Sequence, residues 1–161
     1  MSASIWEEYK IVAATAGIVT TNGGVTCDYV SLKNVHKAWI VLSFTQAVGH
    51  ATGIDPTQAT AVAGTAVKAI TASCVIRANE DTAATDTLAA QTAGITYTVT
   101  NDVKKKQVVI EIRPEELDTN AGFDCLGCTI DDSSQGGNYV SGLYFLQMRY
   151  PQAIPPVAIT D

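Results

Sequence analysis

Residues 107–128 read QVVIEIRPEELDTNAGFDCLGC, and the fold class follows from how this stretch is parsed. Its opening alternates: Val108, Ile110 and Ile112 fall on one face, and Val109, Glu111 and Arg113 on the other, the period of a half-buried strand. Pro114 stops the ladder because it has no N–H to donate, and Pro-Glu-Glu-Leu then reads as a single helical turn. The cluster Asp118-Thr119-Asn120-Ala121-Gly122 turns the chain. Phe123 opens a second short strand that carries Cys125 and Cys128. Two strands joined by a proline-stopped turn are the unit of an antiparallel β protein, and the CxxC is the one spacing that suggests chemistry.

The flanking segments repeat this pattern. In 94–100, Ile95, Tyr97 and Val99 alternate with Thr96, Thr98 and Thr100, which predicts a hairpin with 107–113 and puts Asn101, Asp102 and Lys104-Lys105-Lys106 at its tip. Residues 37–48 (KAWIVLSFTQAV) are the most strand-like. Ile40, Leu42 and Phe44 form one face and Trp39, Val41 and Ser43 the other, which predicts a central strand with Trp39 and Phe44 in the core. Residues 67–79 read as another strand, and 80–93 as a surface connection with a short strand near Leu88. Residues 139–150 (YVSGLYFLQMRY) form the last strand, aromatic on both faces, with a bulge expected at Gly142.

Nearer the N-terminus, 9–14 reads as a strand and 20–24 (TTNGG) as a turn. Beyond it Val25, Cys27 and Tyr29 alternate with Thr26, Asp28 and Val30. Asp55-Pro56-Thr57-Gln58-Ala59 has an N-cap acid followed by Pro, so a short helix or irregular loop is expected there. The sum is seven to nine short strands in a single all-β domain, 1–161: an antiparallel β-sandwich or barrel with little helix. An N-terminal arm (1–8) and a Pro-rich, polyproline-like C-terminal arm (151–161) flank it.

Of the 161 residues, 47% are hydrophobic and only 16% charged, against roughly 25% charged in an average soluble chain. Such a surface suits a chain that other subunits cover. The net charge of -6 points away from nucleic acid as a partner, and the lysine run reads as a hairpin tip or solvated edge. No apolar run approaches the ~20 residues of a membrane helix. The N-terminus has neither a basic n-region nor an apolar h-region, so synthesis in the cytoplasm without a signal peptide is expected.

A structural zinc site needs four ligands, whereas Cys27, Cys74, His36 and His50 are each isolated from the Cys125–Cys128 pair. A redox dithiol favours a helix N-terminus, whereas FDCLGCTI reads as strand and Asp124 raises a neighbouring thiol's pKa. Cys125 and Cys128 are therefore expected to pack as small residues or to cross-link to another subunit. No nucleophile, zinc-protease or P-loop motif occurs. Gly23-Gly24 and Gly136-Gly137 sit in turns, Glu115 and Glu116 point apart, and Asp131-Asp132 lacks the alternation of a calcium loop. The expectation is a non-enzyme with no cofactor and no metal.

Five blocks carry a resemblance to a known group: LKNVHKAWIVLSFTQA (32–47), TQATAVAGTAVKAI (57–70), IRANEDTAATDTLAAQT (76–92), VVIEIRPEELDTNAGFDC (108–125) and YFLQMRYPQAIPPVAITD (144–161). Together they resemble small tailed-bacteriophage virion structural proteins of the capsid decoration and head-associated kind. The resemblance implies a structural component of the virion, assembled in the host bacterial cytoplasm. Its partners would be the major capsid protein or other virion proteins, and it would form a homo-oligomer, a trimer among the options, with neither nucleic acid nor membrane as partner. On this reading the chain is a decoration (cement) protein bridging capsid subunits. Trp6, Tyr9, Tyr150, Pro151, Ile154, Pro155 and Pro156 would be subunit contacts, and Cys125 and Cys128 the candidates for a cross-link. The alternatives are a tail or neck protein of the virion, or a carbohydrate- or cell-binding β-sandwich module. The last would need Trp39, Tyr139 and Tyr144 to face away from the core.

Overall fold

The alternating segments fold as two antiparallel β-sheets packed face to face, a β-sandwich, in the computed structural model, which describes residues 4–150. In chain order the strands are β1 (Tyr9–Ala13), β2 (Val19–Thr20), β3 (Val25–Thr26), β4 (Val30–Ser31), β5 (Val35–Gln46), β6 (Thr52–Ala59), β7 (Lys68–Ala69), β8 (Val75–Asn79), β9 (Ala89–Ala90), β10 (Tyr97–Val99), β11 (Lys105–Ile112), β12 (Cys125–Ile130) and β13 (Asn138–Met148). Eight of them are longer than two residues, which accounts for the seven to nine expected from periodicity. The first sheet runs β1-β13-β5-β11-β8-β9, with β2 also paired to β13. The second runs β10-β6-β12-β3, with β4 beside β12 and β7 beside β6.

The core follows from the period of two. Ile40, Leu42 and Phe44 of β5, Val108, Ile110 and Ile112 of β11, and Val140, Tyr144 and Leu146 of β13 face inward. They meet Ile54, Leu126, Cys128 and Ile130 of the second sheet, all buried. Each such aliphatic side chain contributes about 1.5–3 kcal/mol by leaving water. A smaller cluster of Tyr29, Ala59 and Cys125 lies apart from this core. It sits on the outer face of the second sheet, where residues 28–29 and 60–65 fold over β6 and β12.

Several expectations are corrected. Segments 94–100 and 107–113 do not form a hairpin: β10 pairs with β6 in the second sheet, and β11 lies between β5 and β8 in the first. The chain crosses the sandwich between them, and Lys106 is no solvated tip. It shares the inward face of Val108, and its side chain is fully buried. Residues 67–79 split between β7 in one sheet and β8 in the other. In the same way the 25–31 alternation breaks, so that Cys27 enters the main core and Tyr29 the outer cluster. The N-terminal arm contains one helical turn, Ile5–Glu8, in which Glu7 Oε2 accepts from the Ser4 N–H at 2.7 Å.

Residues 52–59 form a strand, not a helix. Pro56 fits because its nitrogen does not face β12: the Cys128 carbonyl opposite it is turned the other way, accepting from Cys27 N–H at 2.8 Å. Pro56 still accepts from Ile70 N–H through its own carbonyl, at 3.2 Å. At Gly142 the β13–β5 register is continuous, and the irregularity falls at Gln147/Met148 instead. Glycine is needed there for space, since a Cβ would lie 2.8 Å from Leu42 Cδ2 and 3.2 Å from Ala14 Cβ.

Candidate contact surface

The outward face of the first sheet is the most distinctive surface of the sandwich. Because side chains alternate, the residues between the core positions of β1, β13, β5 and β11 all point outward. One cross-strand row runs Ile11, Phe145, Trp39, Glu111, Val75. The next runs Ala13, Leu143, Val41, Val109, Arg77. With strands about 4.8 Å apart, each row spans roughly 19 Å. Ile11, Trp39, Val41, Val109 and Phe145 are half-buried, and Leu143 and Val75 are 42% and 48% exposed. A monomeric sandwich normally presents polar residues on such a face, so two adjoining apolar rows mark a place where something packs.

Trp39 is therefore not a core residue, whereas Phe44 is, at 2% exposure. The Trp39 indole N–H donates to Glu111 Oε2 at 3.1 Å, and Lys37 Nζ sits 5.6 Å from the ring centroid while pairing with Glu111 Oε1 at 2.9 Å. Tyr9 stands 6.1 Å away, ring to ring. Burial works to raise the Glu111 carboxyl, but Lys37, the Trp39 donor and Arg113 together hold it below its ordinary value. The outcome is an indole locked in one pose at one end of the apolar rows.

The aromatic candidates for a sugar platform do not assemble. Tyr144 is fully buried, its hydroxyl donating to the Asp28 carbonyl at 2.8 Å. Tyr139 is exposed but pairs with Thr45, six residues along β5 from Trp39 and so roughly 20 Å away. Of the proposed contacts, Trp6 lies in the helical turn, Tyr9 opens β1 beside Trp39, and Tyr150 follows β13 and is 70% exposed. Pro151, Ile154, Pro155 and Pro156 lie outside the described residues. The outward residues Ile11, Val41, Val109, Leu143 and Phe145 were not singled out from sequence. Their signal was nevertheless present, in strands apolar on both faces.

Cys125 and Cys128 are three residues apart on a strand, so their thiols point to opposite faces, Cys125 into the outer cluster and Cys128 into the core. Both are buried and free. Burial, with Asp124 as hydrogen-bond partner and neighbouring charge, pushes Cys125 up to about 12. Among the described residues no group of three His, Cys, Asp or Glu is disposed to hold a metal. His36 and His50 lie toward opposite ends of β5. Asp132 ties its loop together, accepting from Gly23 N–H and Ser134 N–H, both at 2.6 Å. The lysine run is anchored within the chain: Lys104 pairs with Asp81 at 3.0 Å and Lys106 with Glu80 at 3.1 Å. Among the described residues, no helix is long and apolar enough to cross a membrane.

No protein-family model and no curated protein sequence matches the chain. Among solved structures it is similar to the crystal structure of SPBc2 prophage-derived protein YomS, at 10% identity and a TM-score of 0.49, over 86% of this chain and 92% of that one. A second likeness is to a structure titled "CBM4 structure and function", at 11% identity and a TM-score of 0.31, over 91% and 88% of the two chains. A third is to the infectious bursal disease virus Gx strain, at 11% identity and a TM-score of 0.21, over 94% of this chain and 43% of that one. Likeness at this level carries nothing about binding or activity.

Proposed function

We propose that this chain is a non-enzymatic structural protein of a phage virion, most simply a capsid decoration protein that joins neighbouring subunits through the outward face of its first sheet. The observation that carries this reading is the pair of adjoining apolar rows, Ile11–Phe145–Trp39 and Leu143–Val41–Val109. A charge-poor composition and the sequence resemblance to small virion proteins support it. Such a face gains by leaving water on assembly, at roughly 25 cal/mol per Å² of apolar surface before the losses of association. In this reading the partners are the major capsid protein or further copies of the chain, and the site of action is the virion.

The experiment is a Val41→Lys, Leu143→Lys double variant supplied in place of the wild-type chain during phage growth. Both side chains point outward, so the melting temperature of the purified variant should match the wild type. Its copy number on purified particles should collapse. Wild-type occupancy by a folded variant would overturn the reading. Copy number in wild-type particles also separates the shell, with hundreds of copies expected, from a tail or neck ring with six or twelve. A carbohydrate-binding module has one observation in its favour, the outward Trp39. That indole, however, already has its N–H bound by Glu111 and Lys37 beside its ring.

A further inference from the structure

The CxxC spacing draws attention to Cys125 and Cys128, but the fold pairs Cys128 with a different residue. β3 and β12 run antiparallel with Thr26 opposite Thr129 and Val25 opposite Ile130, so the next position puts Cys27 opposite Cys128. A Cys27 N–H to Cys128 carbonyl bond of 2.8 Å confirms that register. Directly opposed residues on such a ladder have Cα atoms about 5.5 Å apart and share a face, within the range that a disulfide spans. Both side chains belong to the same buried cluster. They differ in one respect. Cys27, though only 1% exposed, borders a groove of about 950 Å³ together with Ala14, Val25, Tyr29, Val67 and Thr129, and Cys128, at 0%, does not.

We propose that Cys27 and Cys128 form a covalent cross-link site, in which a small disulfide oxidant entering through the groove joins the two sulfurs in a cross-strand disulfide. The Cys27 thiolate attacks one sulfur of the oxidant, leaving a mixed disulfide on Cys27 and expelling one small thiolate, which takes up the Cys27 proton. Cys128 then attacks the Cys27 sulfur and expels the second small thiol, which carries away the Cys128 proton. Two protein thiols are oxidised and one oxidant disulfide is reduced to two thiols, so hydrogens and electrons balance. The order of events is set by the groove, which borders Cys27 and not Cys128, and by the facing Cys128 thiol, which holds Cys27 below the ordinary thiol range against burial and the Asp28 charge. Cys128 is held well above that range by the same partner and by burial, which suits a resolving thiol rather than an attacking one. The cross-link would close a loop of about 100 residues and restrict the unfolded chain accordingly. It rests on the register of β3 and β12 and is independent of the proposed virion role.

The test is to incubate the reduced, folded, full-length chain with 2-hydroxyethyl disulfide, then quench in acid, denature, alkylate and map peptides. The expected product is a peptide pair joining Cys27 to Cys128, with Cys74 and Cys125 alkylated, and a melting temperature several degrees higher that returns to its starting value on reduction. Cys125→Ser should leave the product unchanged, whereas Cys128→Ser should stop at a mixed disulfide on Cys27. If the oxidised wild type retains four alkylatable thiols, carries an unresolved adduct on Cys27, or bridges through Cys74 or Cys125, the proposal is overturned. The wild-type map decides the matter even if a serine variant fails to fold.

Discussion

Tyr29 lays its ring over the backbone of Gly127, in the middle of the Cys125–Cys128 segment. A Cβ built on Gly127 would overlap the ring, 2.6 Å from Cδ1 and 2.7 Å from Cζ. On the ring's other edge stands Gly64, whose Cβ would lie 3.2 Å from Cε2. The Tyr29 hydroxyl meets Thr57 Oγ1 at 3.1 Å, which fixes the ring between the two glycines. In CLGC, then, the residue that the fold cannot exchange is the glycine between the cysteines.

Gly127→Ala should accordingly destabilise the chain by about 1–3 kcal/mol, the usual range for overpacking a filled site. Tyr29→Ala alone opens a cavity under residues 60–65 and is destabilising by about 3–5 kcal/mol. The two changes should be strongly non-additive, because removing the ring removes the clash. Denaturant unfolding of the two single variants and the double variant measures the coupling. Additivity would show that Tyr29 yields freely and that the contact does not hold the outer cluster in place.

The second prediction concerns the polar cluster at one end of the sandwich. Lys106 Nζ, fully buried, donates to the Thr100 carbonyl at 2.5 Å and Oγ1 at 2.7 Å and pairs with Glu80. The Tyr97 hydroxyl donates to Glu80 Oε1 at 2.5 Å. Burial works to raise the Glu80 carboxyl, but the hydrogen bonds from Tyr97, Lys106 and Thr100 outweigh it and leave the group below its ordinary value. A depressed carboxyl contributes stability that is present above its unfolded pKa, near 4.3, and lost as pH falls through the folded value. Urea unfolding between pH 7 and 3 should show that loss, and Glu80→Gln should flatten it. Lys106→Met should be destabilising by about 1–3 kcal/mol, since Glu80 loses its ion-pair partner and the Thr100 carbonyl its donor, while the Tyr97 and Thr100 hydrogen bonds to Glu80 remain. The double variant should recover part of that loss.

How much of this was legible beforehand depends on the range of the interaction. The strands β5, β11 and β13 were readable because their alternation is local, and their inward and outward faces follow from parity alone. Even the burial of Lys106 was available, since it shares the parity of Val108. What escaped was every feature set by pairing across the sandwich. Residues 94–100 and 107–113 look like a hairpin, and nothing local records that they belong to opposite sheets. Asp55-Pro56 has the chemistry of a helix start, and only the direction of its neighbours' hydrogen bonds makes it a strand. The outward rows combine residues from five strands spread along the chain, so the surface exists only once the register does.

Pro56 supplies a prediction from that lesson. In a ladder opposite Ile70, a non-proline residue at 56 would add an N–H facing the Ile70 carbonyl, while giving up the restriction that proline places on the unfolded chain. The first effect stabilises by about 0.5–1.5 kcal/mol and the second destabilises by about 0.4–1 kcal/mol. These two effects nearly cancel. The Pro56 ring, however, is buried on the core face opposite Cys128, so Pro56→Thr should be destabilising by about 1–3 kcal/mol in denaturant unfolding, the cost of setting a hydroxyl among apolar side chains. A variant within a few tenths of a kcal/mol of the wild type would mean that burial of the ring contributes little and that the hydrogen-bond direction alone matters at this position.

The last prediction returns to the apolar face and the group that orients it. Glu111 binds Lys37 with one oxygen and the Trp39 indole with the other, so its charge state is reported by the indole N–H. In a proton–nitrogen spectrum the Trp39 indole signal, assigned by its absence in Trp39→Phe, should titrate with a midpoint below the ordinary glutamate value. The sign follows from the balance at the site: burial opposes the charged form, and Lys37, Trp39 and Arg113 together favour it more strongly. Glu111→Gln should abolish the titration while keeping an acceptor for the indole. If Glu111 fixes the pose of Trp39 for packing against a neighbour, acidification through that midpoint should also loosen assembly, and Glu111→Gln should make assembly insensitive to pH over the same range. An assembly that keeps its pH response in Glu111→Gln would place the controlling group elsewhere and leave Trp39 a bystander at the edge of the contact surface.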